Sequence, residues 1–454
     1  MKDLTEGPIA KNILQMAVPI AAGMFFQTLY ILIDLYFVAG LGGAAIAGVG
    51  AAGNAMFLVF ALTQVLGVGT VALISQAVGR KDQAGATLIF NQSLVLSSAW
   101  ALVTLLFGYS VGHIYMQALG SDAATALAGT QYLYWFLPSL ALQFALVVMG
   151  SALRGTGIVQ PTMIVQVLTV ILNAVLAPVL IAGWGTGHPM GVAGAGLASS
   201  LSVAVGVVLL AMYFHRLEKY VAFDPGSWRP QFPIWNRLLR IGLPAGGEFA
   251  LMFIYLVVIY GLIRRFGPDA QAGFGIGQRL MQSMFLPAMA VAFATAPIVG
   301  QNFAAGKFVR VRETFLRATL IGSCIMVALT LFCHWRGAWA VHAFTSNAAV
   351  QTVGTQFLLV ISWNFLATGI VFTCSAVFQG LGHTIPAVLS SASRLVSFLV
   401  PALWLASSPQ FQLIQLWHVS VASVTLQALV SLWLVRREFR KRVPLAAASP
   451  AAPA

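Results

Sequence analysis

Residues 13–40 read ILQMAVPIAAGMFFQTLYILIDLYFVAG, an apolar run with one carboxyl side chain, Asp34, inside it. No other charge lies between Lys11 and Arg80. At about 1.5 Å of rise per residue, a helix over this run reaches roughly 42 Å, more than the roughly 30 Å of a bilayer's hydrocarbon core. The run therefore spans a membrane with length left for tilt, or for a bend at Pro19. A carboxylate at such depth costs on the order of 2.5–3.5 kcal/mol even on lenient insertion scales, so it has to be protonated, paired, hydrated or functional.

The rest of the chain has the same character. Of 454 residues, 59% are hydrophobic and 8% charged, which the surface of a soluble domain of this size would not carry. Apolar windows of spanning length fall near 13–40, 46–78, 87–109, 127–152, 161–183 and 191–214, and again near 237–263, 270–301, 313–334, 350–378, 386–406 and 412–435. That predicts an all-α polytopic membrane protein of twelve helices. The predicted organisation is a six-helix lobe over 1–214, a polar cytoplasmic linker over 215–236, a second six-helix lobe over 237–435, and a basic then disordered tail over 436–454. MKDLTEGPIAK at the start lacks the short apolar core and small-residue cleavage site of a signal peptide, so the first span is expected to be retained.

The net charge of +13 is a matter of orientation rather than of nucleic acid. With the N-terminus in the cytoplasm, 19 of the 24 Lys and Arg fall on the cytoplasmic side, among them Arg80, Lys81, Lys219, Arg310 and the cluster at 436–442. Only Arg264, Arg265 and Arg336 fall outside, and Arg279 and Arg394 lie within spans. Both termini are therefore expected in the cytoplasm. An ungapped shift of 225 residues superposes the halves, with Pro19 on Pro244, Tyr30 on Tyr255, Gln76 on Gln301 and Pro161 on Pro386. Six spans separate equivalent points, so the copies share one orientation, and in transporters such parallel repeats place the substrate between the halves.

Asp34 has company on its own helix. Tyr30 and Gln27 stand four and seven residues before it, on one helical face. The plain alternative is a polar seam that holds helices together, but hydroxyls and amides suffice for that. The first six spans hold no Lys or Arg at membrane depth, and an apolar setting without a countercharge disfavours an ionised carboxyl, which suits a group that exchanges a proton. In the second half Glu248 shares its half with Arg279 and Arg394, so an ion pair and a transport role are both open. Phe25, Phe26, Met252, Phe253, Met281, Met284 and Phe285 are candidates to line a drug cavity, although such residues mostly face lipid or neighbouring helices. Pro138, Pro178, Pro287, Pro297 and Pro401 read as bends. The three cysteines and seven histidines form no ligand or catalytic spacing, so neither an enzyme, a metal site nor a cofactor is expected.

Several stretches together resemble the multidrug and toxic compound extrusion (MATE) family, nearest its DinF-like bacterial branch. They are LTEGPIAKNIL at 4–14, FQTLYILIDLYFVAGLG at 26–42, SALRGTGIVQP at 151–161, GQRLMQ at 277–282 and VGQNFAAGK at 299–307. The resemblance implies a monomeric antiporter in the bacterial cytoplasmic membrane that expels amphipathic, often cationic drugs in exchange for protons or sodium. It also implies that Tyr30 and Asp34 match the cation-site positions of the first helix, Asn173 the asparagine of the fifth and Ser199 approximately the hydroxyl of the sixth. On the second half, Glu248, Tyr255, Arg279, Met281 and Phe253 are the candidate substrate residues. The chain departs from the pattern in two places. Where the DinF-like branch carries an Asp-Pro pair four residues after the asparagine, this chain has Ala177-Pro178, and the tenth-helix acid of the NorM-like branch is missing. A sodium site with two carboxylates is thereby weakened, and proton coupling through Asp34 is the expectation. The rivals are a flippase for a lipid-linked precursor, favoured by Arg279 and Arg394, and a membrane-embedded transferase, which should show acid, His or Ser clusters at a helix end.

Overall fold

The computed structural model describes residues 1–120, 122–185 and 187–444. Among them the chain forms thirteen α-helices and no strand. The first half holds α1 (Ile9–Ala39), α2 (Gly43–Gly79), α3 (Gln83–Leu119), α4 (Ala123–Gly155), α5 (Gln160–Ala182) and α6 (Val192–Arg216). The second holds α7 (Phe232–Ile263), α8 (Pro268–Ala304), α9 (Phe308–His342), α10 (Ala348–Ile361), α11 (Asn364–Gly380), α12 (Ile385–Ala406) and α13 (Leu413–Arg442). Eleven of these are long and apolar enough to cross a membrane, and α10 with α11, bent by 56° at a short break, meet the same criterion only as a pair, which gives up to twelve. The expected window at 350–378 is thus two helices. At the break the Ser362 carbonyl accepts from the Phe365 amide at 3.1 Å, three residues on, and from the Thr330 hydroxyl of α9 at 2.9 Å.

The side chains are arranged for a lipid solvent. On α3, Leu102, Val103, Leu106 and Phe107 are exposed while Asn91, Gln92, Ser93 and Ser97 are buried, the reverse of a soluble helix. Buried hydroxyls return to their own helix, as in Ser202 to the Ala198 carbonyl at 2.8 Å and Thr373 to the Gly369 carbonyl at 3.0 Å. Close helix contact rests on glycine: a Cβ on Gly48 of α2 would stand 2.6 Å from the amide nitrogen of Gly129 in α4. Likewise a Cβ on Gly196 of α6 would stand 2.6 Å from the carbonyl oxygen of Tyr132 in α4, so these two helices meet backbone to backbone.

Contacts divide the chain into two compact units, the first made of Met1–Asp3 and Ala22–Gly242 and the second of Leu4–Ala21 with the chain from Leu243 onward. The divisions run through α1 and α7, three residues after Pro19 and two before Pro244, not through the stretch at 215–236 read as a linker between lobes. That stretch is packed into the first unit. Asn91 Oδ1 accepts from the Asp224 amide at 3.1 Å and the Trp228 indole at 2.9 Å, and its Nδ2 donates to the Ala222 carbonyl at 2.9 Å. Gln92 Nε2 donates to the carbonyls of Ser227 and Arg229 at 2.6 and 2.8 Å, and its Oε1 accepts from the Gln231 amide at 2.8 Å. Further along, a Cβ on Gly69 would stand 2.6 Å from the Leu238 carbonyl, which seats the start of α7 against α2.

In the second unit, the start of the chain lies on the end of α8. Gln301 Oε1 accepts from the Leu4 amide at 2.9 Å, Asn302 Nδ2 donates to the Leu4 carbonyl at 3.1 Å, and Lys307 Nζ donates to the Thr5 carbonyl at 3.0 Å. Two of the quoted motif stretches, LTEGPIAKNIL and VGQNFAAGK, therefore bond one another. The core of this unit is aromatic, with Trp417 stacked on Phe274 at 5.6 Å and Phe357 set edge-on against both. The basic residues at 436–442 continue α13, and residues 445–454, expected as a disordered tail, lie outside the described residues.

Candidate functional site

Asp34 sits near the end of α1 with 8% of its surface exposed. Its Oδ2 accepts from the Tyr132 hydroxyl at 3.4 Å, and its Oδ1 is buried with no partner. No Lys, Arg or His forms an ion pair with it among the described residues. Tyr132 is held in turn by stacking on Phe136 at 5.0 Å and by the close α4–α6 contact at Gly196. One turn before the acid, the Tyr30 hydroxyl accepts from Asn173 Nδ2 of α5 at 3.4 Å, and the same nitrogen donates to Ser199 Oγ of α6 at 3.5 Å. Asn173 Oδ1 is also buried without a donor.

Four helices of the first unit thus bring Tyr30, Asp34, Tyr132, Asn173 and Ser199 into one buried polar cluster. Two of its oxygens, Asp34 Oδ1 and Asn173 Oδ1, are buried with no hydrogen-bond partner among the described residues. Buried acceptors left bare are costly, which sets this cluster apart from a fully bonded polar seam. Ala177 and Pro178 are buried in the same helix as Asn173, so no second carboxylate joins from that turn. Gln27 is not part of the cluster. Although helical spacing puts it on the Asp34 side, it is exposed and makes no hydrogen bond among the described residues. Tyr132 was not singled out from sequence: it sits in TQYLYWFLP among other aromatics, and nothing local marks it as the partner of an acid about a hundred residues away.

In the second unit the Glu248–arginine pair, one of the two readings left open by the sequence, is not made among the described residues. Glu248 of α7 accepts from Ser375 Oγ of α11, 3.2 Å from both carboxylate oxygens, and no ion pair reaches it among the described residues. Arg279 of α8 is exposed. Arg394 of α12 instead stands over the ring of Tyr255 at 4.5 Å, while the Tyr255 hydroxyl bonds Ser420 of α13 at 3.0 Å. The apolar candidates separate as well: Phe25, Met252 and Phe253 are exposed, whereas Met281, Met284 and Phe285 pack against the aromatic core.

Comparison with known proteins agrees with this architecture. The family model MatE matches residues 19–179 and again 244–404, so each half matches it separately. Multidrug export protein MepA of Staphylococcus aureus (strain N315) is 23% identical over 438 residues, covering 95% of each chain. "Probable multidrug resistance protein YpnP" of Bacillus subtilis (strain 168) is 25% identical over 420 residues, covering 91% of this chain and 90% of that one. A solved structure described as the outward-facing conformation of a multidrug resistance MATE family transporter superposes with a TM-score of 0.91 at 25% identity, covering 98% of both chains.

Proposed function

The chain belongs to the MatE family, and from that premise we propose that it is a secondary antiporter that exports amphipathic organic cations in exchange for protons. It works by alternating access as a monomer in the bacterial cytoplasmic membrane, with both termini in the cytoplasm. The family relatives named for multidrug export support the substrate class. One observation carries the coupling: Asp34 is a buried acid with a single hydroxyl donor, one bare oxygen and no basic partner among the described residues. Such a group changes charge when it binds a proton, and nothing around it compensates either state fully. Protonation removes the charge and provides an O–H, so it favours packing α1 against apolar neighbours. Ionisation favours hydration or a cationic substrate.

Exchange then needs only that proton and drug favour different states of one element. The first helix is that element, since Pro19 lies inside it and the acid lies toward its far end. Tyr30, Asn173 and Ser199 order the oxygens around the acid, and Tyr132 steadies the carboxylate.

Sodium coupling is the second reading, favoured by the two bare oxygens of Asp34 and Asn173. Against it, a hard cation gathers six or so oxygens and gains most from carboxylates, and Ala177 takes the place of the second one. The test is drug uptake into inverted liposomes carrying the purified protein, with pH and sodium gradients imposed separately. Uptake driven by the pH gradient without sodium supports the proposal, and uptake driven only by sodium overturns it.

A further inference from the structure

Arg394 is the residue that the export reading leaves without a task. It lies near the middle of α12, nine residues from one end and twelve from the other, which places a permanent guanidinium charge deep in a span. It makes no ion pair among the described residues, and its Nε is buried with no acceptor. The Tyr255 ring beneath it, 4.5 Å from the guanidinium carbon, offers a partial negative face and no full counter-charge. That ring is fixed, because its hydroxyl is bound to Ser420 and its edge meets Phe398 at 4.6 Å.

None of the acids of the second unit forms an ion pair with Arg394 among the described residues, and Glu6 is an exposed residue before α1. Glu248 is bound to Ser375, Glu313 to Arg317, Glu438 to His383 and Arg442, and Asp269 accepts from Asn347 beside the start of α8. The seam between α12 and α13 next to Arg394 is polar but uncharged: Ser390 meets Ser431, and Gln427 donates to Ser391 at 3.5 Å. A cation held on an aromatic face, beside hydroxyls and with an unused donor, lacks one partner, an oxyanion.

We propose that Arg394, seated on Tyr255, is a recognition site for the anionic group of an amphipathic ligand: a carboxylate, a sulfonate or a phosphate. A planar guanidinium matches all three with paired N–H donors. The ligand range of this chain then includes amphiphiles with an oxyanion as well as cations. The inference rests on the export reading only for the amphipathic character of the ligand, so it is tested by binding and not by transport.

The purified chain in phosphatidylcholine nanodiscs is titrated with naphthalene-2-sulfonate and, separately, with N,N,N-trimethyl-2-naphthylammonium, which shares the ring but carries the opposite charge. Arg394→Gln is expected to weaken sulfonate binding about tenfold or more, to leave the ammonium probe unchanged, and to be partly restored in Arg394→Lys. Nanodiscs containing phosphatidylglycerol identify the source of the anion. If that lipid weakens sulfonate binding to the wild type and not to Arg394→Gln, a lipid headgroup occupies the site; if it has no effect, the site takes a soluble anion. Equal sulfonate affinity in the wild type and a folded Arg394→Gln overturns the proposal. So does failure of the wild type to bind the sulfonate at millimolar concentration, a result that does not depend on any variant folding. Because neither titration involves a proton gradient, this inference and the coupling mechanism fail independently.

Discussion

The hydroxyl of Tyr132 on α4 stands 3.4 Å from Oδ2 of Asp34 on α1 and is the only donor to that acid among the described residues. A single neutral donor can steady the carboxylate without fixing its charge, as an arginine would. That distinction separates a coupling acid from a structural one. Tyr132→Phe keeps the ring that stacks on Phe136 and removes only the donor. The variant is expected to fold, at a cost of about 0.5–1.5 kcal/mol, and to export drug with a pH profile displaced from that of the wild type. Tyr109→Phe, whose hydroxyl serves only the Tyr134 carbonyl, is the control and should leave the profile in place. Profiles measured in proteoliposomes that coincide for Tyr132→Phe and wild type would detach Tyr132 from the coupling step.

Glu248 is predicted to tolerate neutralisation. Breaking a buried ion pair costs about 3–5 kcal/mol because one charge is left uncompensated, but the partner here is the Ser375 hydroxyl, which a glutamine oxygen can also accept from. Glu248→Gln should therefore express normally and melt within a few degrees of wild type in detergent. Adding Arg394→Gln should bring no rescue. A badly destabilised Glu248→Gln restored by neutralising Arg394 would mean that the two charges pair after all.

The stretch at 217–231 is predicted to depend on two amides of α3. Gln92 alone satisfies the Ser227 and Arg229 carbonyls and the Gln231 amide. Gln92→Leu keeps most of the bulk and strands all three. Water reaches part of this surface, so a total loss of about 1–3 kcal/mol is expected. Limited trypsinolysis reads it directly: cleavage after Lys219 should accelerate in the variant, the bond after Arg229 being closed to trypsin by Pro230. Unchanged cleavage rates would show that apolar contacts hold the segment without Gln92.

How much of this was legible in the sequence follows from the range of each interaction. The spans were readable because a bilayer imposes one length and one polarity on every crossing, whatever the neighbours. The repeat was readable because Pro19, Tyr30 and Gln76 recur at one offset. The cluster of Tyr30, Asp34, Asn173 and Ser199 followed from a resemblance, and the structure does bring those four together. What escaped depends on contacts that sequence spacing does not encode. Tyr132 meets Asp34 across about a hundred residues of chain, from a helix packed closely on α6 at Gly196. The break between α10 and α11 is stabilised by Thr330 from another helix. Gln27 shares the helical side of Asp34 yet stays exposed, since periodicity assigns a side chain to a face but does not say what covers it. A Glu248–arginine pair stayed open because arginines were present in its half, and composition carries no distances.

The sharpest prediction concerns Asp34 as the single coupling acid. Its oxygens meet one hydroxyl and no base, and the residue four after Asn173, where a second carboxylate would serve sodium, is the buried Ala177. If proton binding to Asp34 is what distinguishes the two states of α1, then Asp34→Asn, which mimics the protonated form permanently, removes that difference. The energy transmitted from one ligand to the other cannot exceed the difference each makes between the states, so coupling falls to nothing while folding and drug binding persist. The variant should melt near wild type, since an amide in this apolar setting is cheaper than a carboxylate. Under an imposed pH gradient without sodium, it should equilibrate drug and never concentrate it. Ala177→Asp is the complementary change: it places a second carboxylate one turn after Asn173 and should make export sodium-sensitive. Concentrative export by Asp34→Asn under the pH gradient alone would show that the proton acts elsewhere in the chain.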